Sequence, residues 1–430
     1  MAKTITKPIV LDETGQAIKD TLLQIVNAID GKKGAVYGFH VNGAESNPSA
    51  MITYLKDAVG MTPAKMDYTN DVFDYGSWKD AFFMPKPCML RYDGLVDYYL
   101  DPDDYTKKVD GTASDVANPD YAGNAMMEWP EIWWKVEPDA DPKSGSVYIA
   151  NRQVDSTYHA WSNINNQGVL VPHFYTAIYN GGKVGDRLRS ISGLDYTYLD
   201  SAMTASGEVS AAKANNSGSD VLWYTETYSD VTLINFLLML VGKSMDTASV
   251  FGEGRRSQSG SAANMLTTGS MDSKGLFWGS NAITYGVKVF GMENWWGNQW
   301  RRYAGHIVVS GVEKVKLTYS TNDGSTATAY NTDGTGYLAT GVTAHTGTNG
   351  GYCSEMRFSE YGMTPVAASG TSSTYYCDGL WFNDSVTTYA YRGGHCRNGG
   401  FVGTFCCYLS YAASFAYWHI GAAVSCKPLA

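Results

Sequence analysis

Residues 391–426 read YRGGHCRNGGFVGTFCCYLSYAASFAYWHIGAAVSC. Tyr391, Phe401, Phe405, Tyr408, Tyr411, Phe415, Tyr417 and Trp418 put eight aromatic rings in the thirty positions 391–420, about twice the chain's own 13%. Rings this dense make either a core or a contact surface. A strand buried on one face alternates apolar with polar residues, whereas here Gly399, Gly400, Gly403, Ala412, Ala413, Ser414 and Ala416 interrupt the rings without a strict period. Tyr, Ser and Gly with a few large rings are the composition of recognition loops, because Tyr offers wide amphipathic contact at low entropy cost. By composition alone a core hairpin fits equally well. A second property tilts the balance. Lys, Glu, Gln and Met supply 21, 12, 6 and 16 residues of the chain, so about four are expected in 395–426, and none is there. Every residue type present except Trp418 is one that an NNY codon encodes, the set reached by randomising the adenines of an Asn AAY codon.

Outward from this segment, 46 Gly and 31 Tyr punctuate short apolar stretches, which reads as an α+β fold with many short strands, long loops and few helices. With 430 residues and 44% apolar content the chain can bury a large core. Its net charge of -10 argues against nucleic acid as a partner. Residues 1–8 lack an apolar h-region, and the longest apolar run, 231–241, is far short of the ~20 residues of a membrane span. The expectation is a soluble, unexported chain without membrane insertion.

Two helices are expected. Ile18, Leu22, Ile25 and Ile29 form a stripe ended by Gly31, which either docks on its own chain or bundles with copies of itself. The second helix spans about 231–243, capped by Ser229 or Asp230. The turn-rich runs around Asp101-Pro102-Asp103-Asp104 and Asp139-Ala140-Asp141-Pro142 lack a D-x-[DN]-x-[DN]-G calcium loop and read as solvated turns. Of seven cysteines, Cys353, Cys377, Cys396, Cys406, Cys407 and Cys426 fall in the last 80 residues. Their odd count favours free thiols, none has C-x₂-C spacing, and no metal or other cofactor is expected. The seven histidines are scattered, and neither a G-x-S-x-G elbow nor a phosphate loop is present.

Taken together, Arg392-Gly393-Gly394, Asn398-Gly399, Gly403, Phe405, Leu409, Ala412-Ala413-Ser414 and Trp418-His419-Ile420-Gly421 resemble the end of a C-type lectin fold variable protein diversified by a retroelement, of the phage tropism-determinant type. Residues 291–300, GMENWWGNQW, resemble the G-x-E-N-x-x-G-N-x-W segment that these proteins share with formylglycine-generating-enzyme-like lectin domains. The runs 128–135 and 376–379 are similar to those of tail-associated members. The resemblance covers most of 126–430, preceded by a leading segment, 36–125, packed on that domain and an attachment segment, 1–35.

The resemblance implies a framework of Gly393, Gly394, Gly403, Phe405, Leu409, Trp418, Ile420 and Gly421. It implies a variable surface of His395, Arg397, Phe401, Tyr408, Ser410, Tyr411, Phe415, Tyr417 and His419, with Cys396, Val402, Thr404, Cys406 and Cys407 as further candidates. In this reading Phe401, Tyr408, Tyr411, Phe415 and Tyr417 anchor a host cell-surface receptor, protein or glycan, and His395, Arg397, Ser410 and His419 add polar selectivity at the rim. The implied setting is a phage tail in the virion, beside other tail proteins and most plausibly as a homotrimer. A bacterial cell-surface protein of the same fold is the alternative, but no export signal stands in 1–15. Catalysis is not expected: in formylglycine-generating enzymes a cysteine stands four residues beyond the second Gly of R-G-G, where this chain has Asn398. Asn383-Asp384 after Trp381-Phe382 resembles the W-N-D loop of calcium-dependent lectins, without its E-P-N or Q-P-D partner.

Overall fold

The computed structural model describes Gly15, Ile18, Lys19, Thr21, Leu22 and residues 34–195, 203–257 and 264–429. Strands take up 33% of the described residues and helices 11%, so the expectation of many short strands with few helices holds. Three large sheets carry the architecture. In the first, Ile52–Lys56, Val36–Val41, Gly145–Ala150 and Trp133–Pro138 pair in that order, all antiparallel. The second runs Trp223–Thr225, Val424–Cys426, Phe174–Ala177, Gly123–Trp129, Lys86–Arg91, Val96–Asp101 and Asp104–Lys108. Residues 36–125 thus share two sheets with the rest of the chain, and the division expected after 125 falls inside the strand Gly123–Trp129.

The third sheet has Trp300–Val309 near its centre, with Val312–Val315 and Leu338–Ala339 on one side and Thr388–Arg392, Cys407–Leu409, Gly379–Phe382 and Gly351–Tyr352 on the other. Ile420–Ala422 adds parallel to Trp300–Val309. Two residues later Val424–Cys426 enters the second sheet. The C-terminal segment is therefore stitched into two sheets within seven residues, which fixes everything that immediately precedes it.

The long helix begins earlier than expected, at Tyr228, and spans Tyr228–Gly242 after the N-cap Thr227. Asp230 lies inside the first turn rather than at the cap, and its carboxylate accepts from the Thr227 hydroxyl at 2.8 Å, the Ser425 hydroxyl at 3.2 Å and the Lys427 ammonium at 3.1 Å. All helix residues except Asn235 are buried, so the expected apolar face is an apolar cylinder inside the main core, packed on Phe39 and Trp134 through Phe236. Each such fully buried Leu, Ile or Phe contributes about 1.5–3 kcal/mol.

The run 291–300 braces the third sheet. Glu293 accepts the backbone N–H groups of Gly269 and Met271 at 2.9 and 2.7 Å. Asn298 accepts from Leu266 N–H at 2.7 Å, and Trp295 donates to Asn235 Oδ1 at 3.0 Å. Asn294 and Asn298 adopt the left-handed conformation (φ 52° and 63°), which Asn tolerates better than most residues.

The acidic runs form turns held by their own carboxylates, such as Asp103 N–H to Asp101 Oδ1 at 2.9 Å and the Asp141–Lys143 ion pair at 3.0 Å. Asp384 of the W-F-N-D run accepts from the backbone N–H of His345 at 2.8 Å and pairs with its ring at 2.7 Å. Near the N-terminus Ile18, Lys19, Thr21 and Leu22 are helical, and Ile18 and Leu22 are exposed; Ile25 and Ile29 lie outside the described residues. All seven cysteines are free and buried.

Candidate ligand-binding cleft

Four rings from four strands of the third sheet meet because of register. Tyr408 pairs with Tyr391 on one side and with Trp381 on the other. Cross-strand partners share a face, so the Tyr408 ring stacks between them, 5.7 Å from Tyr391 and 5.5 Å from Trp381 between centroids. Trp300 stands edge-on to both Tyr408 and Trp381, at 5.4 and 5.7 Å. Along Cys407–Leu409 the pleat turns Cys407 and Leu409 into the main core and leaves Tyr408 half-buried on the other face. Trp300, Tyr391, Cys406 and Ile420 form a small core of their own beneath this face, separate from the main one.

Residues 410–419 arch over this floor, and their backbone is held by groups outside the arch. The carbonyls of Tyr411, Ala413 and His419 accept the backbone N–H groups of Tyr389, Ala205 and Trp300 at 2.9, 2.9 and 3.0 Å. The Arg302 guanidinium donates to the Phe415 carbonyl at 2.7 Å and is itself paired with buried Glu208 at 2.5 Å. None of these four bonds uses a side chain of the arch. The rings are thus free to face outward: Tyr411 stacks on Phe415 at 3.8 Å, and Tyr411 and Tyr417 are 38% and 46% exposed.

At the other end of the cleft the rings of His395 and His419 stack at 4.2 Å. Arg397 N–H donates to His395 Nδ1 at 3.2 Å, which leaves the proton of the neutral ring on Nε2. Burial pushes both imidazoles down, His419 to about 4 and His395 further, with His419 and Arg397 adding to the effect on His395. Both are neutral at pH 7. The Asn398 side chain accepts from the His395 backbone N–H at 2.8 Å. Floor, arch and imidazoles enclose a cleft of about 360 Å³, with no Asp, Glu, Lys or Arg in its lining.

Of the residues expected at the variable surface, Tyr408, Tyr411, Phe415, Tyr417, His395 and His419 come together in this cleft. His395, expected at the rim, is only 6% exposed and belongs to the floor, packed against His419 and 6.2 Å from Trp300. Arg397 is exposed and outside the lining. Phe401 extends the ring surface sideways, stacked on Tyr352 at 4.3 Å and 5.4 Å from Trp381. Ser410 is half-buried and lies outside the cleft lining. Cys396, Val402, Thr404, Cys406 and Cys407, the further candidates, are all buried and are not part of the surface. Cys396 is held inward at the tight turn of Gly393 and Gly394, where Gly297 N–H donates to the Gly393 carbonyl and Cys396 N–H to the Asn298 carbonyl, and Cys407 is turned into the core by the pleat of its strand.

Trp300, Trp381, Tyr391 and Asn398 line the cleft without having been expected there. In the sequence Trp381 stands out only within the W-F-N-D run. Among the described residues no group of three His, Cys, Asp or Glu side chains is arranged to hold a metal, and no helix is long and apolar enough to cross a membrane.

No protein-family model matches the chain, and no curated protein matches it.

Proposed function

We propose that this chain is a receptor-binding protein of a phage tail, a C-type lectin-like variable protein whose cleft and surrounding rings grip a molecule on the host cell. The observation that carries the reading is the arch at 410–419, whose main chain hangs on Arg302, Trp300, Tyr389 and Ala205 rather than on its own side chains. Such a segment can exchange its outward residues without losing its path. The NNY-type composition of 395–426 supports the same division between frame and grip.

Recognition in this proposal is non-covalent. The thiols support that reading, since burial pushes Cys396, Cys406 and Cys407 above the ordinary range, away from the reactive thiolate. Several copies on one particle would raise a weak single-site affinity through effective concentration. A homotrimer joined through the N-terminal helix fits the exposed Ile18 and Leu22, four residues apart on one helix face.

The test is attachment of the fluorescently labelled protein to a panel of bacterial strains, compared with a Tyr411→Ala/Tyr417→Ala variant. Binding to particular strains that the variant loses, at unchanged thermal stability, supports the proposal; binding that ignores both changes overturns it. The surrounding DNA gives an independent check: a near-copy of codons 391–426 differing at adenines, beside a reverse transcriptase gene.

A further inference from the structure

The chemistry of the cleft lining narrows what can lie in it. Aromatic rings dominate: half-buried Trp381 and Tyr408 below, with Trp300 and Tyr391 buried behind them, and Phe415 and Tyr417 along the arch. Flat π-faces hold flat apolar surfaces. Yet the lining also carries an unusual number of neutral hydrogen-bonding groups: four Tyr hydroxyls, the Asn398 amide and two uncharged imidazoles.

Three ligand chemistries can be compared on these features. An aliphatic or aromatic side chain of a protein would cover the rings but offer nothing to the hydrogen-bonding groups that share the lining, such as Asn398 and Tyr417. A carboxylated or phosphorylated group would enter a space with no cation in its lining, Arg397 lying outside it, in a chain of net charge -10, at a desolvation cost that no ion pair within the lining offsets. A neutral sugar ring has what the cleft lacks: an apolar C–H face to lie on the rings and a rim of hydroxyls that donate and accept. The volume of about 360 Å³ is within the ~300–1,000 Å³ range of small-ligand sites.

We infer that the cleft takes a neutral pyranose, one unit of a cell-surface glycan, lying against Trp381 and Tyr408 with its hydroxyls toward His419 and Asn398. The inference rests on the reading that this surface binds a receptor, and it names that receptor's chemical class.

Saturation-transfer NMR on the full chain tests it, with methyl glucopyranoside, galactopyranoside and mannopyranoside as neutral probes and glucuronic and sialic acids as charged ones, alongside an array of bacterial surface polysaccharides. Expected is transfer to the ring C–H protons of at least one neutral probe or array glycan, weakened roughly tenfold or more by Phe415→Ala and by Tyr417→Ala. These two residues lie on the arch, and thermal melts verify that the variants fold. Response to charged sugars alone, or to no sugar, overturns the inference. Cell attachment then separates the two readings. Attachment that survives periodate oxidation, is lost after protease treatment, and still depends on Tyr411 and Tyr417 means a protein receptor and sinks only the sugar inference. Attachment indifferent to both tyrosines removes the receptor reading and this inference with it.

Discussion

The imidazole rings of His395 and His419 lie 4.2 Å apart and 3° from parallel. Two protonated rings could not share that space, and burial holds His419 down to about 4, with His395 lower still. In the unfolded chain both take up a proton near 6.5. Between about pH 6.5 and 4 the unfolded state therefore binds more protons, and this contribution to stability, complete above 6.5, drains away as the pH falls. A His395→Phe/His419→Phe variant keeps stacked rings and loses the titration. Its melting temperature should fall less than that of the unmodified protein between pH 7.5 and 4.5, and an equal fall would count against the neutral pair.

Exchange at the outer positions of the arch should be nearly free of cost to the fold. Tyr411 and Tyr417 are exposed, and the bonds that hold their loop belong to its main chain. Replacing both with Ser, Asn or Ala, all reachable by adenine randomisation, should shift stability by no more than ~0.5 kcal/mol per site, read from urea unfolding. Tyr408→Ala is the contrast: it removes the ring stacked between Trp381 and Tyr391 and should cost about 2–4 kcal/mol.

The division between these classes was only partly legible in the sequence. Composition and codon pattern pointed to 395–426, and the exposed Tyr411, Tyr417 and Arg397 fall where they pointed. The same signal swept in Cys396, Val402, Thr404, Cys406 and Cys407, because codon type does not record which way a side chain faces. The alternation that separates Tyr408 from Cys407 runs over only three residues, too few to read as a period. Trp300 and Trp381 were hidden for another reason. They join the cleft through strand pairings, Trp300 with Ile420 and Trp381 with Tyr408, that span 120 and 27 residues of sequence, and register of that kind leaves no local trace. The long helix was legible by its apolar run, but its start was not, since the polar Ser229 and Asp230, which read as caps, lie buried within its first turn.

Glu226 is the buried charge on which the site's underside depends. Its carboxylate pairs with Arg301 at 3.1 Å and Arg392 at 2.7 Å, and Arg392 lies over the Trp295 ring at 3.4 Å. Burial alone would raise this carboxyl, but Arg392 and Arg301 outweigh it and hold it below its usual range. Glu226→Gln leaves two guanidinium groups buried without a counter-charge. A loss of about 3–5 kcal/mol is expected, measured by chemical unfolding. A loss under about 1 kcal/mol, the scale of a surface pair, would mean that water reaches these arginines.

Gly403 marks where the frame tolerates no exchange, although it sits between variable positions in sequence. A Cβ there would stand 2.0 Å from Asp378 Oδ1, and the other oxygen of that carboxylate accepts the Phe405 N–H at 2.7 Å. Asp378 is itself buried, so it cannot swing aside without leaving a donor unpaired. Gly403→Ala should destabilise by about 1–3 kcal/mol through overpacking and weaken ligand binding by shifting the turn that leads into Tyr408. Gly400→Ala is the matched control, because its nearest neighbour is the movable tip of Tyr352 at 2.9 Å. If both alanine variants melt at the temperature of the unmodified protein, Asp378 yields more readily than its burial and hydrogen bond imply, and the frame extends less far into the segment than argued.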